Sequence, residues 1–317
     1  MKIAIAGGSG HLGQVLAHDL TEHGHEIVVL SRSGGRIPGG IWWDGRHLGP
    51  WTDAIDGADA VINLAGRSVN CRYNKTNLQE MMGSRVDSTR VMGQAIAAAV
   101  RPPRVWLQMS TATIYAHRFD APNDEATGLI GGDEPDAPTY WRTSIDIAEA
   151  WERTLAEAET PHTRKVAMRC AMVMSPHRGG VFDILQHLTR FGLGGPIAGG
   201  RQFMSWIHHR DFARSVRFLL EREELSGAVN LAAPGPLPQR ELMATLRDAC
   251  GVRIGVPAAT WQLEIAAFVH RTDTELLLKS RRVVPGRLLE AGFLFEYPDW
   301  ASAAHDLVAR SREGVAA

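Results

Sequence analysis

The sequence predicts an α/β protein built on a doubly wound parallel sheet with a smaller C-terminal part, and three observations carry that expectation. Short apolar runs alternate with segments of helical periodicity through residue 174, a burst of glycines separates the first run from the first helical pattern, and strand character returns near residues 227–233. The expected division is therefore 1–174 and 175–317, with the late strand rejoining the first sheet.

The elements are justified in order. Lys2 to Ala6 reads as a buried strand, and Leu12, Val15, Leu16 and Leu20 share one face of a helix that ends at His23-Gly24. Glu26 to Leu30, Ile41 to Trp43 and Ala60 to Ala65 read as the second, third and fourth strands, apolar enough to be covered on both faces. A long helix from about Asn77 to Val100 stops at Pro102-Pro103, because proline lacks the N–H that a helix needs and restricts the residue before it. "VWLQMS" is the next strand, Arg118 to Pro138 is irregular, "IDIAEAWERTLAEAE" is a helix, and "KVAMRCAMVM" reads as one continuous strand. Beyond Ser175 the pattern loosens. "GLGGPIAGGRQ" is a loop, Asp211 is the expected N-cap of "FARSVRFLLERE", another helix starts near Gln239, and a tail contains "SRRVVPGRLLEAGFLFEY".

Composition narrows the function classes. The 317 residues are 44% hydrophobic, enough for a large core, and 34 basic side chains nearly cancel 35 acidic ones. No global field then favours nucleic acid or an anionic membrane. Three scattered cysteines, Cys71, Cys170 and Cys250, argue against a disulfide framework or a CxxC metal site. With no signal-like start and no apolar run approaching ~18 residues, a soluble cytoplasmic protein is expected. No metal is expected either: His208 and His209 point apart on a strand, and no third ligand has suitable spacing. Only Lys2, Lys75, Lys165 and Lys279 are lysine, so chemistry that needs a tunable amine has few candidates.

In "AGGSGHLG" the glycines 7, 10 and 13, with Gly8 completing G-x-G-x-x-G, lie between a strand and a helix. The turn must be tight, a pyrophosphate must approach the backbone, and the helix must pack closely on the sheet. Free N–H groups and the helix dipole then meet the anion, so Gly7, Ser9, Gly10, His11, Leu12 and Gly13 are expected to cradle a dinucleotide in a Rossmann-type fold. At the end of the second strand, where an acid usually meets ribose hydroxyls, stand Ser31 and Arg32, with Arg36 nearby. A guanidinium holding a 2'-phosphate through charge-assisted bonds worth about 1.5–3 kcal/mol favours NADP(H) over NAD(H).

Taken with "LSRSGG", "AVINLAG", "GSRVDST", "MSTATIYA", "GLGGPIAGGRQFMSWIH" and "VVPGRLLEAGF", the chain resembles the extended short-chain dehydrogenases/reductases. Within them it is similar to atypical epimerase-like proteins that carry a short extra C-terminal module. The resemblance implies that Asn63, Leu64, Ala65 and Gly66 line the cofactor at the switch point of the sheet, and that Glu80, Arg85 and Val173 approach it. An ion pair on the helix surface is the alternative for Glu80 and Arg85.

The family's usual catalytic set is a Ser or Thr with Tyr and Lys in the pattern YxxxK. Here Ser110 and Thr111 stand at the strand end and Tyr140 at the tyrosine's place, but Ser144 replaces the lysine and Lys165 lies 25 residues beyond Tyr140. Without help, a phenol of pKa ~10 is ionised in only about one molecule in a thousand at pH 7, a deficit near 4 kcal/mol for base-driven oxidation. A protonated phenol can still donate to an alkoxide, so reduction is favoured. Aligned instead on Trp151, the helix carries Arg142 and Asp146 at the two places, and Tyr115 becomes the alternative acid. Arg201 and Trp206, with Phe203 and Met204, are candidates for a substrate-binding wall, with core packing the alternative for the three apolar ones. Met172 stands in the neighbourhood where many nucleotide-sugar epimerases place Asn, which weakens sugar-nucleotide recognition. The expected function is NADP(H)-dependent reduction of a small carbonyl compound by a monomer or homodimer. The alternative is a catalytically silent NADP(H)-binding redox sensor or regulatory protein.

Overall fold

The computed structural model describes residues 1–34, 39–135, 137–258 and 275–313, which leaves Arg36 outside the described residues. Strands β1 (Lys2–Ala6), β2 (Glu26–Ser31), β3 (Ile41–Trp42), β4 (Ala60–Asn63), β5 (Val105–Thr111) and β6 (Arg164–Cys170) alternate with helices α1 (His11–Glu22), α2 (Lys75–Ala98) and α3 (Arg142–Glu157). Strand β7 (Met172–Met174), helix α4 (Val181–Arg190), strands β8 (Phe203–Met204) and β9 (Trp206–His208) and helix α5 (His209–Glu221) follow. Strand β10 (Gly227–Leu231) then joins the first sheet, whose order is β10-β6-β5-β4-β1-β2-β3, with every pairing parallel. This is a Rossmann-type sheet, and the late strand takes its edge beside β6.

Strand alternation explains the two layers. Ile3, Ile5, Ile62 and Leu107 face a core shared with Leu16 and Leu20 of α1 and Phe212, Val216 and Leu219 of α5. Ala4, Ala6, Val61 and Trp106 face the other layer with Val91, Met92 and Ile96 of α2. The segment beyond residue 175 thus returns a helix as well as a strand to the first sheet.

Several expected boundaries move for local reasons. The "KVAMRCAMVM" strand breaks at Ala171, because β6 exhausts its partners at Cys170 and β7 pairs instead with β9 in a separate sheet. Trp43 leaves β3 to pack on Trp51, ring to ring at 5.6 Å. Helix α2 starts at Lys75, capped by the Asn74 side chain, which accepts from the Asn77 N–H at 2.8 Å. Asp211 does not cap α5. His208 occupies that place, while the fully buried Asp211 accepts main-chain N–H groups of Glu296 and Tyr297 at 2.8 Å and pairs with Arg214 at 2.9 Å.

The remaining elements are β11 (Leu237–Pro238), α6 (Gln239–Cys250), α7 (Glu275–Leu278), α8 (Gly286–Glu290) and α9 (Trp300–Glu313). A second core joins Phe182, Trp206, Leu242, Leu246, Trp300 and Leu307. The tail ties both cores together. Leu288 and Phe293 enter the first core, and residues 281–284 thread between two segments: Arg281 N–H donates to Phe203 at 2.8 Å, and Val284 N–H donates to Asn123 at 3.0 Å. Among the described residues no helix is long and apolar enough to cross a membrane.

Truncating the fully buried Phe212 to Ala should cost about 3–5 kcal/mol, through lost burial plus a cavity shared by α5 and the sheet. Urea denaturation should read this as a lower midpoint with an unchanged slope.

Candidate active site

The turn between β1 and α1 is built by close approach. Gly7 has φ +75°, and a Cβ there would lie 3.0 Å from the Ala65 nitrogen; one on Gly13 would lie 2.5 Å from Gly8 Cα. Neither position accepts a larger residue without moving backbone. Gly10 caps α1 with no side-chain hydrogen bond and no acid stands in the first turn, so the leading N–H groups of the helix are open to an anion. Ser9 and Leu12 are half-buried with Gly10 exposed, and the His11 side chain leaves Nε2 buried with no hydrogen-bond partner among the described residues. This cradle fits a pyrophosphate. Ser31 is buried at the end of β2 and Arg32 is exposed immediately after it.

The exit of β4 faces the same turn. The buried Asn63 accepts from the Ala65 N–H at 3.0 Å and donates to Gln108 at 3.0 Å, which shapes the backbone of Leu64, Ala65 and Gly66 against Gly7. Arg85 lies over Gly66, whose Cβ would come 3.3 Å from the guanidinium carbon, and over the Trp151 ring at 5.0 Å. Burial pushes its pKa down, offset in part by Tyr73 and Cys71. Glu80 does not pair with Arg85; it pairs with Arg67, which also donates to Asn77 at 2.9 Å.

Behind the end of β5 lies a buried network. Ser110 donates to Glu152 at 2.5 Å, Glu152 binds Arg169 through both oxygens at 2.9 and 2.8 Å, Arg169 donates to the Tyr115 oxygen at 3.0 Å, and Tyr115 donates to Asn230 at 2.9 Å. The hydroxyls of Ser110 and Tyr115 are thereby spent within the framework. Burial pushes the Tyr115 phenol up, against the opposing pull of Arg169. Thr111 is half-buried at the strand end and accepts from the Thr113 N–H at 3.1 Å. Tyr140, 46% exposed, stands in a 3-10 turn before α3, one residue from the buried Trp141. Of the four hydroxyls, only those of Thr111 and Tyr140 lie outside the network.

The tail reaches this region, which sequence reasoning did not anticipate. Ser144 donates to Glu275 of α7 at 2.6 Å, the buried Lys279 donates to the Thr113 carbonyl at 2.9 Å, and Arg281 donates to the Thr113 hydroxyl at 3.2 Å. Lys279 also lines a cavity of about 280 Å³ with Trp141, Arg142, Ile145 and Glu134. Its rarity as one of four lysines was the one signal in the sequence. Of the other expected positions, Val173 packs in the first core and Arg201 is exposed on its loop. Trp206 is a core side chain, donating to Gly235 at 3.2 Å and packed on Trp300 at 5.0 Å between ring centres, so core packing is what the structure gives it.

Beyond the glycine turn runs a row of rings: His11 to His177 at 6.3 Å, His177 to His209 at 6.0 Å, and His209 to His208 at 4.4 Å. Burial and the neighbouring His209 push His208 down to about 3 despite Asp306 at 3.1 Å, and burial with His177 pushes His209 down to about 4. Both are neutral in the folded chain at pH 7. Their folded pKa values lie below the unfolded one, so the unfolded chain takes up more protons as pH falls below about 6.5. Stability should be full above that value and decline toward pH 4, by at most about 1.4 kcal/mol per pH unit for the fully buried His208. Urea midpoints measured from pH 7.5 to pH 5 should fall, and His208→Asn should flatten the slope.

Comparison with known proteins bears on this geometry. The model of the NAD dependent epimerase/dehydratase family matches residues 3–232, and that of a domain of unknown function, DUF1731, matches residues 260–307. The human epimerase family protein SDR39U1 is 31% identical over 314 residues, covering 98% of this chain and 100% of its own. Epimerase family protein YfhF of Bacillus subtilis (strain 168) is 28% identical over 313 residues, covering 98% of each chain. The crystal structure of human SDR39U1 (isoform 2) with NADPH superposes with a TM-score of 0.85 at 29% identity, covering 98% of this chain and 99% of that one. The glycine turn, the sheet order and the sequence match over both halves lead to one conclusion: this chain belongs to the NAD dependent epimerase/dehydratase family, with a C-terminal DUF1731 module.

Proposed function

We propose that the chain is an NADP(H)-dependent oxidoreductase that reduces a small carbonyl compound. The observation that carries the reading is the uncapped α1 N-terminus in its glycine turn, with Arg32 where an acid would otherwise meet ribose hydroxyls. The human relative solved with NADPH supports the same choice of cofactor. In this reading Gly7, Ser9, Gly10, His11, Leu12 and Gly13 hold the pyrophosphate, Ser31 and Arg32 the 2'-phosphate, and the backbone of 63–66 with Arg85 flanks the dinucleotide; Glu80 acts only through Arg67. When bound, the reduced nicotinamide supplies hydride.

Thr111 and Tyr140 are the hydroxyls assigned to the substrate oxygen. Tyr140 has no lysine four residues on to activate it as a base, so in this reading its hydroxyl serves as a hydrogen-bond donor. A donor at that place suits reduction rather than base-driven oxidation. The proposed setting is the cytoplasm, for a monomer or homodimer, in keeping with three free cysteines and a near-zero net charge. The second reading, a silent NADP(H)-binding sensor, is favoured by one observation: Ser144, at the lysine's place, is engaged with Glu275.

Calorimetry with NADPH and NADH, followed by NADPH absorbance over a panel of aldehydes and ketones, decides between them. Wild type should prefer NADPH, and Arg32→Asp should reduce that preference ten- to hundred-fold. Tyr140→Phe should slow reduction by about 10²-fold with cofactor affinity unchanged. Tight NADPH binding with no oxidation anywhere in the panel would establish the sensor reading instead.

A further inference from the structure

The amine that sequence reasoning finds missing from Tyr140's helix has a counterpart supplied from the other end of the chain. Lys279 follows α7, is 1% exposed, and forms part of the wall of the cavity beside Trp141, the residue next to Tyr140. An ammonium carries three donors. One is used on the Thr113 carbonyl at 2.9 Å, and Glu275 at 4.0 Å is beyond hydrogen-bond distance, so two remain among the described residues.

Two of the acids around it are held by other groups: Glu134 accepts from the His117 and Gly132 N–H groups at 2.6 Å, and Asp133 pairs with Arg142 at 2.8 Å. Glu275 accepts from Ser144 through one oxygen at 2.6 Å and forms an ion pair with Lys279 through the other at 4.0 Å, which keeps the buried amine charged without taking one of its hydrogen bonds. Arg281, the cation nearest along the chain, is turned to the Thr113 hydroxyl. The rest of the wall includes Ala137, Pro138, Trp141 and Ile145, so the cavity offers apolar contact and one buried cation with unspent donors. Its placement is tied to one candidate hydroxyl, that of Thr111, and to the helix that follows the other. Lys279 and Arg281 grip Thr113, whose N–H donates to Thr111, and Glu275 holds Ser144, one helical turn after Tyr140.

We propose that this cavity receives the carbonyl substrate and that Lys279 is its proton donor, so that the C-terminal module completes the active site. The inference rests on the reductase reading above. In the step, hydride from NADPH forms the C–H bond at the carbonyl carbon and the carbonyl π pair moves onto oxygen. An N–H bond of the Lys279 ammonium breaks as the O–H bond forms. The products are an alcohol, NADP⁺ and a neutral amine that regains its proton from water. Burial pushes Lys279 down to about 8, with Glu275 and Glu134 opposing and Arg281 assisting, which matches a donor that is charged at neutral pH and can return to that state.

Four lysines make the test direct. In ¹⁵N-lysine NMR of the full-length protein, one ammonium should titrate near pH 8, and Lys279→Gln should remove that signal. In single-turnover NADPH oxidation with the carbonyl panel, Lys279→Gln should lose about 10²-fold while its NADPH affinity stays within threefold. Wild-type rates should fall above pH 8, and Lys279→Arg, whose side chain keeps its proton, should lose that fall together with most of the rate. A Lys279 signal titrating at its ordinary value, or a folded Lys279→Gln variant matching wild type, overturns the role of Lys279 and leaves the reductase reading standing. A wild type that binds NADPH and reduces nothing overturns both.

Discussion

Glu152 and Arg169 form the ion pair on which the geometry behind the site depends, because it locks α3 to the sheet at a single helical register. Both side chains are largely buried, at 17% and 13% exposure, and the guanidinium meets both carboxylate oxygens. Removing one partner of such a pair typically costs about 3–5 kcal/mol, since the other is left as an uncompensated buried charge. The pair recruits Ser110 from β5, Tyr115 from the following turn and Asn230 from β10, so three neighbouring strands are cross-linked by side chains as well as by their ladder. Trp151, one residue before Glu152, donates to Thr89 and seats α3 on α2. With the register fixed there, Ser144 falls in the first turn of α3, where it meets Glu275 of the tail, and Tyr140 stands exposed in the turn just before the helix.

The tail is the second constraint. A segment that reads as an appendage enters both cores and threads its backbone between residues 203–205 and Asn123. It also holds the turn after β5 through Lys279 and Arg281. Since Thr113 in turn donates to Thr111, the conformation of a candidate catalytic hydroxyl is set by residues about 170 positions away in the chain. The family's usual arrangement puts tyrosine and lysine one turn apart on one helix. Here the tyrosine stands in the turn before α3, and a buried amine, Lys279, follows α7.

Much of this was legible beforehand. The glycine turn, the six strands of the first half, the return of β10 and the open N-terminus of α1 all follow from local periodicity and turn chemistry, which short stretches of sequence express directly. The misplaced features were those whose partners are distant. Asp211 looks like an N-cap until Glu296 and Tyr297 claim its carboxylate, and Trp206 looks like a pocket wall until Trp300 packs on it. Ser110 and Tyr115 look equivalent to Thr111 and Tyr140 until Glu152, Arg169 and Asn230 consume their hydroxyls.

By itself, then, the sequence determined the layered α/β architecture, the cradle at Gly7 to Gly13 and the absence of an acid after β2, because each depends on residues adjacent in the chain. Only the tertiary structure decided which polar groups are spent and which remain free to act. A hydroxyl or an ammonium declares its role through the partners that burial forces upon it, and for Ser110, Tyr115 and Lys279 those partners lie across the fold.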